Sequence, residues 1–458
     1  MKKINIFLGA ILLSIWSVIL FFGKHIGLSM LLFAIPITYY IVILLEKTNK
    51  IKNKNSRILI IPIIILVSIL LIFGGIKLYS YLRIKYAKVE VELVPDLTLE
   101  FNDKKKVSDY IESINGKIVN DYTIDSSKLG KKKIDFKFIN DDNIKLDYSF
   151  DVNVVDTVPP VVWLSNTYTL KKGSEDTLLD DILCGDNYDN SPKCEIIGDY
   201  DLNTEGNYTL KFKATDSSNN ITEKDFTLKV YEPVQTKSND STKTKEEIKY
   251  VNFSDVVNKY KDNNTKIGID ISLWQGDIDF KKLKEAGVEF VIIRVGYMKG
   301  TNGERVLDSK FKQNIKNANK NKIPVGVYYF SYASSKKEAI KDAKWVLKQI
   351  KKYDVTLPVA FDWEDFSDYN SYKLSFYNLT SMADGFIEEV EKNGYKGMLY
   401  GSKNYLEQIW LPNNHNVWLA HYTDKTSYEG NYKFWQLTEI GKVDGIDGTV
   451  DIDIYYEK

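Results

Sequence analysis

The chain has 458 residues, with 62 basic and 62 acidic side chains and therefore a formal net charge of zero. A balanced charge argues against a globally basic nucleic-acid-binding protein, so no nucleic acid is expected as a partner. The length predicts about three domains. Two cysteines exclude a disulfide-stapled miniprotein, and with three histidines they argue against a Cys/His zinc site.

Three apolar runs near the N-terminus, at 4–23, 26–45 and 58–76, are each long enough for a helix that crosses a bilayer. Basic residues before the first run and in the loop 46–57 predict that both lie in the cytoplasm. The alternative for the first run is a cleaved signal peptide, but no convincing cleavage site precedes the second run. We expect a membrane anchor over 1–82 in the lipid bilayer, with all later residues on the extracytoplasmic side.

Residues 88–232 show strand-like alternation that is broken by frequent turn signals, which predicts an all-β region. The region contains an internal repeat at a constant offset of 76 positions, in which Ile134 recurs as Leu210 and Phe150 recurs as Phe226. A repeat of this length indicates two tandem β-sandwich modules.

The expected module bounds are 88–155 and 156–232, and the polar stretch that follows predicts a flexible linker within 233–261. The second module resembles the immunoglobulin-like modules of bacterial surface proteins. The resemblance rests on short motifs, among them Asp156…Pro159-Pro160 and Ala214-Thr215-Asp216. It implies a role as a spacer or a binding module.

The second module also holds both cysteines, Cys184 and Cys194. Outside the membrane a disulfide between them is expected, and two reduced thiols are the alternative. Between them, the turn with Asp186 and Asp189 could bind calcium, although a solvated Asx turn is the preferred interpretation.

From 262 to 458 short apolar runs alternate with segments that are long enough for helices. Helices are expected at 308–321, 335–352 and 375–393. Strands are expected at Ile267–Ser272, Phe290–Val295, Pro324–Phe330, Leu357–Asp362, Gly397–Tyr400, Val417–Ala420, Phe434–Leu437 and Thr449–Ile454. This pattern predicts an α/β barrel of the (β/α)5(β)3 type, with its site at the carboxyl ends of the strands.

Several acidic residues lie on these strands, mostly near their ends. Asp270 is late in the first strand, Asp362 and Glu364 end the fourth, and Asp451 and Asp453 lie in the eighth. Asp362 and Glu364 are two positions apart on an extended chain, so their side chains point to the same side. Crowded carboxylates repel each other, which raises one pKa and allows that group to act as a general acid near neutral pH. Glycoside cleavage requires such a pair.

Aromatic residues lie at or near other strand ends: Tyr328, Tyr400, Trp418 and Tyr422. Sugars stack on aromatic rings, which favours a site for carbohydrate, whereas packing in the core is the alternative for each ring.

Five stretches in the C-terminal domain together resemble glycoside hydrolase family 25, the lysozymes of bacterial and phage origin. They are Gly268-Ile269-Asp270-Ile271-Ser272…Trp274-Gln275-Gly276, Pro358-Val359-Ala360-Phe361-Asp362-Trp363-Glu364, Trp418-Leu419-Ala420-His421-Tyr422, Trp435-Gln436 and Gly448-Thr449-Val450-Asp451. The resemblance covers about 265–458 and implies the same barrel. It also implies hydrolysis of the β-1,4 bond between N-acetylmuramic acid and N-acetylglucosamine in peptidoglycan.

By position, the resemblance implies a role for each matching residue. Glu364 looks like the proton donor, Asp362 like the second catalytic carboxylate, and Asp270 and Asp451 like supporting acids. The positions that look like sugar contacts are Tyr328, Tyr400, Trp418 and Gln436. The sequence departs from the family pattern at Trp363, which is often small or aliphatic, and at His421, which is often Arg; neither departure removes a catalytic carboxylate.

The sequence therefore predicts a multidomain protein: three transmembrane helices, two all-β immunoglobulin-like sandwiches and a C-terminal muramidase barrel held in the cell wall. Peptidoglycan glycan strands are the expected partner, and no metal or cofactor is required. Asp362 could attack the anomeric carbon, or the N-acetyl group of the substrate could do so. The expected role is local remodelling or opening of the wall. The rival interpretations are a catalytically silent wall-binding or sensor protein and a hydrolase of a related glycan such as chitin.

Overall fold

The computed structural model describes residues 67, 70, 73–232, 249–301, 303–412 and 415–457. The chain divides into two compact units, Met1–Val155 and Asp156–Lys458. The first holds one β-sandwich module, and the second holds the other module together with the barrel.

The prediction of a fold with three transmembrane helices is wrong for the part of the chain that the structure describes. No helix in that part is both long enough and apolar enough to cross a bilayer. The helical residues 73–85 include Lys77, Arg83 and Lys85, whose charges are costly in hydrocarbon. The predicted spans 4–23 and 26–45, and most of 58–76, lie outside the described residues.

From Val91 to Val155 the first unit forms a β module with a four-stranded sheet and a two-stranded sheet. Its strands are β1 (Val91–Leu93), β2 (Thr98–Glu100), β3 (Ile111–Ile114), β4 (Gly116–Ile118), β5 (Gly130–Asn140) and β6 (Lys145–Val155). The larger sheet has the order β2-β6-β5-β4, and β1 pairs with β3. Alternate residues of β5, among them Ile134 and Phe136, point into the core because successive side chains of a strand face opposite sides.

The module of the second unit repeats this plan. Its elements are β7 (Val161–Trp163), β8 (Thr167–Lys171), α1 (Leu178–Asp181), β9 (Leu183–Gly185), β10 (Lys193–Ile197), β11 (Gly206–Thr215) and β12 (Ile221–Tyr231). The internal repeat has a structural basis. Ile134 faces Phe150 across the β5–β6 hairpin, and Leu210 faces Phe226 across β11–β12. A disulfide joins Cys184 on β9 to Cys194 on β10.

The barrel follows in the same unit. Its strands are β13 (Val251–Asn252), β14 (Thr265–Ile271), β15 (Phe290–Met298), β16 (Arg305–Leu307), β17 (Val325–Phe330), β18 (Val359–Asp362), β19 (Gly397–Ser402), β20 (Asn416–Ala420), β21 (Phe434–Lys442) and β22 (Val450–Tyr456). Its helices are α2 (Phe253–Tyr260), α3 (Phe280–Glu285), α4 (Phe311–Lys320), α5 (Lys336–Ile350), α6 (Tyr369–Tyr372), α7 (Phe376–Lys392) and α8 (Lys403–Gln408). Because β13 pairs with β21, the barrel sheet includes residues of the segment predicted as a linker, 233–261.

The sheet closes on itself through its last strand. The order β21-β20-β19-β18-β17-β15-β14 is parallel throughout, and β22 runs antiparallel to both β14 and β21. Strands in this position are buried on both faces, which explains runs such as Val359–Asp362 in which every residue is buried. The helices cover the outside, and large side chains such as Phe290 and Trp418 fill the interior.

The second β module packs directly on the barrel. The Trp163 ring stacks on Tyr405 with ring centres 4.4 Å apart, and its Nε1 donates to Gln408 Oε1 at 2.7 Å. Gly185 permits a close approach, because a Cβ at this position would lie 2.6 Å from the Phe376 ring. The module therefore contacts the helices that follow the fourth and fifth barrel strands, β18 and β19.

Candidate active site

Acidic side chains from three strands meet at one end of the barrel. Asp270 lies on β14 directly opposite Asp451 on the antiparallel β22. Asp453, two residues further along β22, is opposite Gln436 of β21. Asp362 is the last residue of β18, and Glu364 follows it by two positions. Carboxyl ends of parallel strands share one edge of the barrel, and the reversed β22 brings its beginning to the same edge.

A hydrogen-bonded network forms the floor of this pocket. Gln436 Nε2 donates to Asp270 Oδ2 at 2.7 Å, and Tyr400 OH donates to Gln436 Oε1 at 2.9 Å. Tyr422 OH reaches the same Oε1 at 3.1 Å. The acceptor role of Asp270 fixes which way the Gln436 amide points, and both tyrosines donate to the amide oxygen.

Three of the residues that were predicted to contact sugar lie beneath the pocket. Trp418 is 1% exposed, and its Nε1 donates to Asp453 Oδ1 at 2.8 Å. Tyr400 and Gln436 are also buried. The rings of Tyr328 and Tyr400 meet Trp418 edge-on at 5.8 and 4.7 Å. In this structure these side chains hold the acids and one another, and Tyr328 alone among the four is half-buried.

The surroundings of Asp270 and Asp453, the two acids at the floor of the pocket, disfavour the ionisation of both. Burial, followed by the charges of Asp451 and Asp453, raises the pKa of Asp270 well above its ordinary value. Burial likewise raises the pKa of Asp453, against the hydrogen bond from Trp418. Because the two buried carboxyl groups are neighbours, the pair is most stable when it holds a proton.

We expect Asp453→Asn to stabilise the barrel at pH 8. The amide keeps an acceptor for Trp418 and removes one buried charge. A carboxyl group whose pKa is raised by folding stabilises the fold below its unfolded pKa and loses that contribution as the pH rises through its folded pKa. A gain of roughly 1 kcal/mol corresponds to a Tm increase of about 2–4 °C in a domain of this size.

Thermal unfolding at pH 8 and pH 5 checks this expectation. The gain should shrink at pH 5, where the wild-type pair already holds its proton. Asp447→Asn, on the exposed loop before β22, is the matched control and should change neither value. A Tm of Asp453→Asn below that of the wild type at pH 8 would contradict the argument.

Asp362 and Glu364 stand at different depths. Asp362 is buried, and its Oδ1 has no hydrogen-bond partner within the described part of the chain. Burial, and next the Glu364 charge, raise the pKa of Asp362, whereas Arg294 opposes the shift. Glu364 is exposed at the mouth of the pocket. The protein atoms packed around it, and next the charge of Asp451, raise its pKa to about 7.

Asp451 is the second acid at the mouth of the pocket, and its charge acts on Glu364. Burial, followed by the Glu439 charge, raises the pKa of Asp451 to about 6. Below that pH Asp451 itself binds a proton. Asp451 and Glu364 therefore titrate across the neutral range as an interacting pair.

Trp363 points away from the pocket, as the alternation along β18 predicts. It is fully buried, and its Nε1 donates to the Ala333 carbonyl at 3.1 Å. Its ring meets Phe366 and Tyr372 edge-on at 5.0 and 5.2 Å. The residue between the two acids therefore anchors the end of β18 in the layer behind the site.

Sequence reasoning missed two features of the site. Arg294, at the end of the apolar run of β15, forms an ion pair with buried Asp308 at 2.8 Å and opposes the rise in the pKa of Asp362. Asp308 also accepts from Leu273 N at 3.0 Å and so holds the turn that carries Trp274. Trp274 is 78% exposed and offers a free aromatic face beside β14. A charged residue inside an otherwise apolar strand was the available signal for Arg294.

The arrangement defines a class of enzyme. A carboxyl group with a raised pKa at the mouth of a barrel, a second carboxyl group buried beside it and an exposed aromatic ring on the turn after β14 are groups that glycoside hydrolysis uses. Among the residues that the structure describes, the carboxylates close enough together to share a cation are Asp156, Asp186 and Asp216, which lie in the β module and not in this pocket.

Comparison with known proteins gives the family. Residues 269–446 match the sequence model of the Glycosyl hydrolases family 25. This segment is a family 25 glycoside hydrolase domain of the lysozyme type, and the resemblance found in the sequence is confirmed for this part of the chain. The immunoglobulin-like character of the β modules stays a prediction.

Individual relatives align with the same region. The uncharacterized protein YegX of Escherichia coli is 27% identical over 193 residues, which cover 41% of this chain and 68% of YegX. The autolytic lysozyme of Clostridium acetobutylicum is 27% identical over 197 residues, 42% of this chain and 56% of that protein. The modular autolysin LytC of Streptococcus pneumoniae, solved with a synthetic peptidoglycan ligand, is 26% identical, with a TM-score of 0.39. That alignment covers 54% of this chain and 56% of LytC.

Proposed function

We propose that this protein hydrolyses the β-1,4 bond between N-acetylmuramic acid and N-acetylglucosamine in peptidoglycan. The observation that carries the proposal is the pair formed by exposed Glu364, with a pKa of about 7, and buried Asp362 beside it. The autolytic lysozyme and the peptidoglycan-bound autolysin among its relatives support this substrate.

Each of the two carboxyl groups has a distinct task. Glu364 at the mouth can reach the leaving glycosidic oxygen and give it a proton, and can later take a proton from the attacking water. Asp362 lies in a poorly solvated position with one oxygen unpaired, so its ionised form gains most when positive charge develops on the sugar. The developing charge therefore favours the proton on Glu364 and the negative charge on Asp362.

We also propose that the enzyme works outside the cytoplasm, in the cell wall. The substrate lies there, and the Cys184–Cys194 disulfide suits an oxidising compartment. The proposed role is local remodelling or opening of the wall. The multidomain build supports this role, because a module that binds a fixed surface would confine the barrel to its neighbourhood. Active enzyme released from intact cells into the medium would count against local action.

The test is product analysis on isolated peptidoglycan with the purified 458-residue chain. Reducing ends of N-acetylmuramic acid are expected, and chitin oligomers should stay intact. Reducing ends of N-acetylglucosamine would place the cut at the other bond of the glycan. The absence of new reducing ends on either polymer would favour a silent wall-binding protein.

A further inference from the structure

Three buried carboxylates converge in the second β module, far along the chain from one another. Asp156 opens the module, Asp186 follows β9, and Asp216 follows β11. Each offers an oxygen, and these oxygens all lie within 4.8 Å of one another. The three residues are 6%, 0% and 5% exposed, so their charges are removed from solvent.

The described residues supply no positive charge to this cluster. Within the described ranges no Lys or Arg forms an ion pair with any of the three, and the groups that contact them are hydroxyl, amide and backbone N–H donors. Asp186 Oδ1 accepts from the backbone N–H groups of Tyr188 and Asp189, at 2.9 and 2.6 Å. Its other oxygen, Oδ2, is buried and has no hydrogen-bond partner among the described residues.

Three buried carboxylates this close together are electrostatically unfavourable when no cation lies beside them. Burial raises the pKa of Asp186 to about 6, and the charges of Asp156 and Asp216 add to the shift. Burial also raises the pKa of Asp156, against hydrogen bonds from Asn187 and Ser218. Buried charges persist in proteins when they are paired or bind a metal, and here no paired cation is present in the described chain.

We propose that Asp156, Asp186 and Asp216 bind one calcium ion. Calcium takes oxygen ligands at about 2.3–2.6 Å, so two ligands on opposite sides of the ion are up to about 5 Å apart, as in this cluster. Asn187 Oδ1, also buried without a partner in the described structure, is a further oxygen close by. Asp189 of the same turn is not one of the three converging carboxylates, and its oxygens accept from Ser191 N and Ser217 N.

The site is joined to the barrel through the loop that carries Asp186. The Asp186 carbonyl accepts from Phe376 N at 2.8 Å, and the Asn187 carbonyl accepts from Tyr377 N at 3.2 Å. Asn190 Oδ1 accepts from Ser375 N at 2.9 Å. These N–H groups belong to the first turn of α7, where an α-helix has no partners of its own. The loop thus caps a barrel helix.

Helix α7 leads from this cap to the catalytic strand. Its residue Phe386 contacts Phe361 of β18, with ring centres 5.2 Å apart, and Phe361 directly precedes Asp362. A calcium ion that orders the Asp186 loop would therefore fix the start of α7 against the module. Its effect on stability should extend into the barrel.

The test starts from the metal-free 458-residue chain titrated with CaCl2. Calorimetry should show saturable binding of one ion per chain, with a Kd between about 10⁻⁶ and 10⁻³ M. Saturating CaCl2 should raise the Tm and slow hydrogen exchange at the backbone amides of Phe376 and Tyr377. MgCl2 at the same concentration should give less than half of the Tm shift, because Mg²⁺ prefers shorter bonds and retains its water.

Asp186→Asn separates a metal ligand from a merely structural residue. Its amide oxygen can still accept from Tyr188 N and Asp189 N, so the turn is kept while the charge is lost. Without metal this variant should be at least as stable as the wild type, and it should lose the calcium response. Asp216→Asn should behave in the same way. Asp201→Asn is the matched control, because Asp201 also accepts from a nearby backbone N–H in the same module but is exposed and outside the cluster.

Three results would overturn the proposal. One is the absence of binding heat and of a Tm shift when CaCl2 is added to the wild-type chain. Another is an equal response to MgCl2, which would indicate general screening of charge. The third is a calcium response that survives in both Asp186→Asn and Asp216→Asn.

Discussion

Replacing Glu364 by Gln is expected to lower kcat on peptidoglycan by about 10²–10⁴-fold, the usual contribution of a general acid. Gln keeps the size and shape of the side chain but has no proton to give to the leaving oxygen. Since Glu364 is exposed at the mouth of the pocket, the substitution should leave folding intact. The measurement is the initial rate of release of reducing ends, with thermal unfolding of the same preparation.

The pH dependence of the wild type gives an independent check. A general acid acts in its protonated form, so the rate should fall as the pH rises through about 7, the pKa of Glu364. Glu285→Gln on helix α3 is the matched control, because that exposed glutamate pairs with Lys281 on the surface. Full activity of Glu364→Gln at pH 6, or a wild-type rate that still rises at pH 9, would remove Glu364 from the role.

The acids of the site could be predicted from the sequence because strand geometry is local. Two carboxylates separated by one residue at the end of an apolar run must share a side, whatever the rest of the fold does. Trp363 between them must then point into the layer behind the strand. Arranging the apolar runs in order was also enough to predict the eight strands of the barrel, since parallel strands buried on both faces lack polar alternation.

How deeply each side chain is buried could not be predicted from the sequence, because it depends on how the sheet closes. Trp418 and Gln436 lie at strand positions that a sequence cannot distinguish from the rim of the pocket. In the closed barrel they are buried beneath it, bonded to Asp453 and Asp270. Asp453 receives its partners only because β22 runs antiparallel between β14 and β21. Long-range pairing of this kind leaves no periodic signal.

The cluster of Asp156, Asp186 and Asp216 illustrates the same limit. In the sequence, Asp186 and Asp189 form the conspicuous acidic pair, and the Asx turn accounts for them. In the fold, Asp189 turns to other backbone donors, while two aspartates from distant turns of the sandwich approach Asp186. A module that is expected to be a spacer thereby gains a candidate ion site at its contact with the enzyme.

Replacing Trp363 by Ala is expected to destabilise the barrel by about 3–5 kcal/mol, the range for a fully buried Trp or Phe truncated to Ala. The variant loses the ring contacts with Phe366 and Tyr372 and leaves the Ala333 carbonyl without its donor. Because Trp363 lies between Asp362 and Glu364, the cavity also loosens the strand end that holds both acids. A loss of activity should therefore accompany the fall in Tm.

Trp274→Ala is the matched control, since it removes the same side chain from an exposed position. Substitutions at such positions usually change stability by no more than about 0.5 kcal/mol. The two variants should separate the two uses of tryptophan in this enzyme: Trp363→Ala should lower the Tm, whereas Trp274→Ala should leave it unchanged. If Trp363→Ala kept the wild-type Tm, the layer behind β18 would not be what holds the catalytic pair in place. The position of Asp362 and Glu364 would then depend on the pocket side alone, through Arg294 and the acids of β22.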